Sequence, residues 1–269
     1  MRVLITNDDG IDSPGLTVLA RIALARGLDV VIAAPARESS GASASITGAE
    51  EDGRLMVTER KPPGLEADVA SFGVRATPGL ITFVAAYGGF GEKPDLVLSG
   101  VNRGQNTGHA VLHSGTVGAP LTGTTHDIPG IAVSLASADP QHWDTPVPYV
   151  EAALDWLLAS GLRDRVVNLN VPDVPPGEVR GLRQAPLAAV GVVQGMVHEV
   201  DEGHLQLTYS DVAERGDSGS DAVLLAAGFA TLTLLRAPVF DLDPSLPGHD
   251  GPAVAASPAS GGSVAPSEA

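Results

Sequence analysis

The sequence predicts an α/β fold of Rossmann-like type, a mostly parallel sheet with helices on both faces, plus a projecting β-hairpin and a C-terminal arm. Three observations carry that expectation. Val3-Leu4-Ile5 is an apolar run without polar alternation, as in a strand covered on both faces. Leu16, Leu19, Ala20, Ala23 and Leu24 keep helical spacing and lead to a second apolar run, Val30 to Ala34, so the chain opens as a βαβ unit. Further apolar runs follow at Asp95 to Leu98, Ile131 to Leu135 and Val166 to Val171.

The first run ends in Asn7-Asp8-Asp9-Gly10. Open α/β sheets bind ligands beyond the carboxyl ends of their strands, so these residues fall where chemistry is expected. Adjacent carboxylates raise one another's pKa, and a divalent cation is their commonest company. A loop pair facing water is the plain alternative for an isolated Asp-Asp. Ser13 and Pro14 supply a capping hydroxyl and a proline at the first helical position, and Gly27 stops that helix. The second strand runs into Pro35 to Thr47, a small polar loop on the same sheet edge as Asp8. A short strand is expected over Leu55 to Thr58, a turn over Lys61 to Gly64, and a helix from Thr77-Pro78 carrying Leu80, Ile81 and Val84. Gly88-Gly89-Phe90-Gly91 follows a helix and not a strand, so it reads as a helix stop and not as a nucleotide loop.

The strand at Asp95 to Leu98 delivers a glycine-rich loop, Ser99 to Gly108, which passes through His109 and His113 to Ser114-Gly115-Thr116-Val117-Gly118-Ala119. Those small residues read as a helix start, whose free N–H groups and hydroxyls suit an anion such as phosphate. No Walker A spacing with its lysine exists in the chain. After the strand at Ile131 to Leu135, Val147 to Ala159 reads as a helix and Val166 to Val171 as the last strand of the main sheet. Val197 to Val200 and His204 to Thr208 alternate about Asp201-Glu202-Gly203 like a hairpin, a form often exchanged between subunits. Asp221 opens a helix ended by Gly228, and Ala230 to Leu235 is a short terminal strand. The expected organisation is one domain over residues 1–240, an arm at about 187–215, and a Pro/Gly/Ser/Ala-rich disordered tail over 241–269.

Composition narrows the chemistry. The 269 residues contain no cysteine, which excludes a disulfide scaffold and a thiolate zinc site, so any metal must be held by oxygen or imidazole. A net charge of −16 argues against a nucleic-acid polymer as partner and leaves room for a small anion beside a metal. Neither a signal peptide nor an apolar stretch of about 18 residues is present, so a cytoplasmic protein with no membrane partner is expected.

Several segments, in order, carry a family resemblance. Asn7-Asp8-Asp9-Gly10, Ser40-Gly41 followed by Ser45-Ile46-Thr47, Ser99-Gly100-Val101-Asn102-Arg103-Gly104 with Asn106 and Gly108, and Ser114-Gly115-Thr116-Val117 resemble the SurE family. Asn168-Leu169-Asn170-Val171-Pro172 and Asp221 with Gly228 extend the similarity to about residue 238. That family comprises metal-dependent nucleoside monophosphate phosphatases. The resemblance implies one divalent metal per subunit, Mg2+ or Mn2+, held by Asp8, Asp9, Ser40 and Asn102, with Ser40 favoured over Ser39 by its spacing to Ser45-Ile46-Thr47. It also implies homodimers or homotetramers built with exchanged C-terminal arms, and phosphate release from 5′- or 3′-mononucleotides.

Two carboxylates, a hydroxyl and an amide suit a hard cation that keeps several waters. The expected chemistry is a metal-assisted in-line attack of water on phosphorus, with Asp8, Asp9, Asn102 and His113 as catalytic residues and Asn7, Asn106, Ser114, Gly115 and Thr116 at the phosphate. An aspartyl-phosphate route lacks its usual Asp-x-Asp pattern. His109 or His113 could donate to phosphate or take a proton from water, although a lone loop histidine is more often a surface residue; His113, next to the phosphate loop, is preferred. The chain departs from the family pattern at His109-Ala110, where an acidic residue is common, at Ala44 for a frequent histidine, at Thr77-Pro78-Gly79-Leu80 for Thr-Pro-Ala-Asp, and at Thr122 for a frequent glutamate. These changes raise two alternatives: a phosphatase for another phosphorylated metabolite, or a non-catalytic nucleotide- or metal-binding homologue. A dinucleotide-dependent oxidoreductase is disfavoured, because the first βα turn lacks Gly-x-Gly-x-x-Gly.

Overall fold

A computed structural model describes residues 1–48, 50–189, 193–201, 204–211 and 218–238. In chain order the elements are β1 (Arg2–Thr6), α1 (Pro14–Ala25), β2 (Asp29–Pro35), β3 (Glu50–Glu51), β4 (Arg54–Leu55), β5 (Val57–Glu59), β6 (Ser71–Val74), α2 (Pro78–Ala86) and β7 (Leu96–Arg103). There follow a 3-10 segment at Gly108–His113, α3 (Gly115–Thr124), β8 (Gly130–Leu135), α4 (Val147–Ser160) and β9 (Val166–Val171). The described chain closes with β10 (Leu182–Gln184), β11 (Val193–Asp201), β12 (His204–Asp211), α5 (Asp221–Ala226) and β13 (Ala230–Leu235).

Nine strands form one sheet in the order β10-β13-β9-β8-β7-β1-β2-β6-β5. The central pairings β7-β1, β1-β2, β7-β8 and β8-β9 are parallel, with β1 joined to both neighbours along Val3 to Ile5. Alternation within β1 sends its side chains to opposite faces. Val3 and Ile5 pack with Leu16, Leu19 and Ala23 of α1 and with Val150 and Leu154 of α4. Leu4 packs on the other face with Leu80 and Ile81 of α2. All three β1 side chains are fully buried, each worth roughly 1.5–3 kcal/mol in removal from water.

α1 starts as its sequence dictates, with the Ser13 hydroxyl accepting from the Gly15 amide and proline at the first position. α1 also lies against β7, and a Cβ on Gly15 would come within 2.1 Å of the Val101 carbonyl oxygen. Only glycine permits that approach.

The structure corrects three sequence expectations. β9 is not the last strand of the sheet: β13 pairs antiparallel to it and β10 lies outside β13. β6 and β10 were not expected, because Ser71-Phe72-Gly73-Val74 and Leu182-Arg183-Gln184 are too short to show a pattern. The single strand expected over Leu55 to Thr58 is broken at Met56, with β4 pairing locally to β3 and β5 joining the sheet edge. The hairpin of β11 and β12 is longer than expected, and its turn at 202–203 lies outside the described residues, as does the expected tail from Asp241.

Candidate active site

The sheet changes direction between β1 and β7. β1 continues to β2 on one side and β7 to β8 on the other, so the loops leaving their carboxyl ends diverge and open a crevice. Asp8 and Asp9 follow β1, and Asn102 and Arg103 end β7. Pairing of Thr6 with Ser99 brings these segments side by side.

The turn after β1 is fixed by Asn7. Its Nδ2 donates to the Gly10 carbonyl at 3.1 Å and its Oδ1 accepts from the Gly10 amide at 3.1 Å, with Gly10 at φ +97°. β7 is irregular between Ser99 and Asn102. Gly100 there has φ +126°, and a Cβ would sit 2.2 Å from the Val133 carbonyl oxygen, so this bend toward the crevice also requires glycine.

Asp8 is 4% exposed and points at the first turn of α3, where its carboxylate accepts from the Thr116 amide at 3.1 Å and from the Thr116 hydroxyl. Ser114 caps that helix by accepting from the Val117 amide at 3.1 Å. A Cβ on Gly115 would lie 2.9 Å from the Asp8 carboxylate, so glycine lets the helix come this close. Asp9 accepts from the Arg103 amide and from Arg103 Nε, each at 3.2 Å. Burial pushes both carboxyls above the usual aspartate range, and for Asp9 the neighbouring Asp8 charge adds to it. Arg103 is the one cation paired with them among the described residues, and it also reaches Glu38 at 3.6 Å.

The serine loop is held to the same edge. The Ser39 amide donates to the Asp8 carbonyl at 2.7 Å, and Ser43 donates through its hydroxyl to the Leu112 carbonyl at 2.6 Å. The Ser40 hydroxyl is turned to Glu38 at 2.8 Å. Asn102 Nδ2 donates to the Gly104 carbonyl at 2.7 Å, which orients the amide and leaves Oδ1 as its available ligand atom. No three His, Asp or Glu side chains gather among the described residues. A buried, under-neutralised carboxylate pair beside amide and hydroxyl oxygens fits a hard divalent cation.

Several expected phosphate ligands are engaged in building the site. Thr116 directs its amide and hydroxyl to Asp8, Ser114 accepts from the Val117 amide, and the Asn7 side chain is spent on the amide and carbonyl of Gly10. Asn106 keeps only its side-chain Oδ1 uncommitted, since its Nδ2 donates to Ser134 Oγ at 2.8 Å. His109 and His113 are exposed on the 3-10 segment, with the His113 carbonyl accepting from the Ser43 amide at 3.2 Å.

Sequence reading assigned no role to Arg103, Thr116 as a carboxylate partner, Ser134, Asn168 or Asn170. Asn168 and Asn170 did leave a signal: two amides at alternate positions of an otherwise apolar strand need partners. Both are fully buried, and their Nδ2 groups donate to the Asn106 carbonyl at 2.8 and 2.9 Å. Asp221, also fully buried, accepts from the amides of Gly108, Ala188 and Ala222 and thereby fastens the 3-10 segment to α5.

Fold and crevice together define an open α/β protein with an acidic, oxygen-donor site at the switch point of its sheet. The family model described as survival protein SurE matches residues 3–192. A 5′-nucleotidase SurE 1 of Burkholderia lata is 36% identical over 87% of this chain and 90% of its own, and a 5′-nucleotidase SurE of a Bradyrhizobium species is 35% identical over 88% and 93%. The crystal structure of a SurE protein from Aquifex aeolicus superposes with a TM-score of 0.75, at 25% identity, over 90% of this chain and 95% of its own. The chain belongs to the SurE family.

Proposed function

We propose that this protein is a metal-dependent phosphohydrolase that releases phosphate from nucleoside 5′- or 3′-monophosphates. The observation that carries the reading is the buried Asp8–Asp9 pair, faced by Arg103 and set against α3 in the crevice. The name 5′-nucleotidase borne by its relatives supports the substrate class.

Asp8, Asp9 and the Asn102 amide oxygen would hold one Mg2+ or Mn2+, with Ser40 joining once its hydroxyl leaves Glu38. Such an ion supplies Lewis acidity toward a phosphoryl oxygen and lowers the pKa of a bound water. Thr116 and the amino end of α3 keep Asp8 aimed, and Arg103 keeps Asp9 aimed while offering positive charge to an incoming phosphate. Asn168 and Asn170 fix the backbone of Asn106, whose Nδ2, here donating to Ser134, would be its donor to a phosphate oxygen. His113, exposed on the 3-10 segment just before α3, would pass a proton between the site and solvent. The hairpin of β11 and β12 is assigned to homodimer or homotetramer formation, and the protein to the cytoplasm. No helix among the described residues is long and apolar enough to cross a membrane.

Phosphate release from a panel of mononucleotides and other phosphate monoesters, with Mg2+, Mn2+ or chelator, tests the reading. Metal-dependent release from mononucleotides is expected. Release from other monoesters alone would replace the substrate class, and binding without any turnover would remove the enzymatic assignment.

A further inference from the structure

Beside the crevice, a second cavity of about 680 Å³ opens at the carboxyl edge of β2 and β6. It is lined by Arg37, Arg60 and Arg75, together with Ser39 and other hydroxyl-bearing residues, and no aspartate or glutamate lines it among the described residues. That composition is unusual in a chain with 32 acidic residues against 16 basic ones. Arg60 is paired with Asp12 at 2.5 Å. The guanidiniums of Arg37 and Arg75 have no carboxylate partner among the described residues, unlike that of Arg2, which pairs with Asp29.

The pairing of β2 with β6 brings both arginines to the wall of this cavity, where Arg75 Nη1 also lies 3.1 Å from Met56 Sδ. Arg37 follows β2 and Arg75 follows β6, the strands run parallel with Pro35 opposite Val74, and the Ala36 amide donates to the Val74 carbonyl at 2.7 Å. Two guanidiniums lining one cavity offer an anion positive charge from two strand ends. A guanidinium fork matches phosphate oxygens in pairs. Ser39 links this cavity to the crevice, because it lines the cavity while its amide is bonded to the Asp8 carbonyl.

We infer that the Arg37–Arg75 cavity binds a phosphoryl anion distinct from the group attacked at Asp8 and Asp9. The anion is either a second phosphate on the substrate or free phosphate, and only the first source rests on the function proposed above.

The test uses the full-length protein and the double variant Arg37→Ala/Arg75→Ala. Both residues are exposed, so the substitutions should leave the melting temperature nearly unchanged. In chelator, calorimetric titration with inorganic phosphate should show binding to the wild type that weakens about tenfold or more in the variant, the loss expected for a charge-assisted pair. The Arg37→Lys/Arg75→Lys variant should recover part of it, because charge returns without the fork. Equal phosphate binding by wild type and the alanine variant overturns the inference. With metal, kcat/KM for a nucleoside 3′,5′-bisphosphate is compared with that for the matching 5′-monophosphate. A preference for the bisphosphate that disappears in the alanine variant assigns the anion to the substrate. Arginine-dependent phosphate binding without that preference assigns it to free phosphate. If no nucleotide is hydrolysed by the wild type, the proposed activity fails while the chelator titration still decides the cavity.

Discussion

Asn170 closes both backbone polar groups of Asn106: its Oδ1 accepts from the Asn106 amide at 2.7 Å and its Nδ2 donates to the Asn106 carbonyl at 2.9 Å. A fully buried side chain on the central sheet thus sets the conformation of a loop residue at the crevice. Asn170→Ala should strand the Asn106 amide, leave its carbonyl to Asn168 alone, and cost about 1–3 kcal/mol of stability. Thermal unfolding should show that loss together with reduced phosphate release; an unchanged kcat/KM in a folded variant would show that Asn106 needs no such support.

Asp8→Asn and Asp9→Asn should each weaken Mg2+ or Mn2+ binding and turnover together, because each removes one of the two anionic donors the crevice offers. Ser40→Ala should weaken metal binding less, since a neutral hydroxyl is lost. Metal titration of the purified variants checks all three, and full activity with unaltered metal dependence in either aspartate variant would refute the metal assignment.

Gly118→Ala should displace the serine loop without touching the carboxylates. A Cβ there would lie 2.5 Å from the Ser43 carbonyl oxygen and 2.6 Å from the Ala44 amide, both backbone atoms that cannot rotate away. The expected cost is roughly 1–3 kcal/mol in stability, with a rise in the metal concentration needed for activity. Normal metal dependence would mean that the loop's position is immaterial to the site.

Asp173 gives the fold a defined acid sensitivity. Burial opposes its ionisation, yet the amides of Gln141 and His142 and the His142 ring outweigh it and hold its carboxyl below the usual range. A lowered folded-state pKa means that the unfolded chain takes up its proton first as pH falls. The stabilisation is therefore complete above the unfolded pKa of about 3.9 and is lost as pH falls through the lower folded value. Wild type should exceed Asp173→Ala by about 1–3 kcal/mol at neutral pH, with the gap closing in strong acid. A gap independent of pH would point to packing in place of charge.

Much of the site was legible in one dimension. Asp8 and Asp9 were placed because a buried parallel strand announces itself by its apolar run, and its carboxyl end is where such sheets bind ligands; Asn102 was singled out only by the family resemblance. The helices at Pro14, Val147 and Asp221 were readable from caps, prolines and apolar spacing, all of which act within a few residues. β6 and β10 were not, since three or four residues carry no period and acquire strand geometry only from a neighbour's ladder.

By itself the sequence determined the open α/β class, the acidic strand tip, the absence of thiolate donors and the glycine positions near the crevice, because these follow from local spacing and residue type. Only the tertiary structure decided which donors meet. Thr116 lies 108 residues from Asp8 and Arg103 lies 94 from Asp9, so neither contact has a sequence signature. The same holds for Arg37 and Arg75, which line one cavity only because β2 pairs with β6. A hydrogen bond or an ion pair acts over a few ångströms, and strand register alone determines which distant residues come that close.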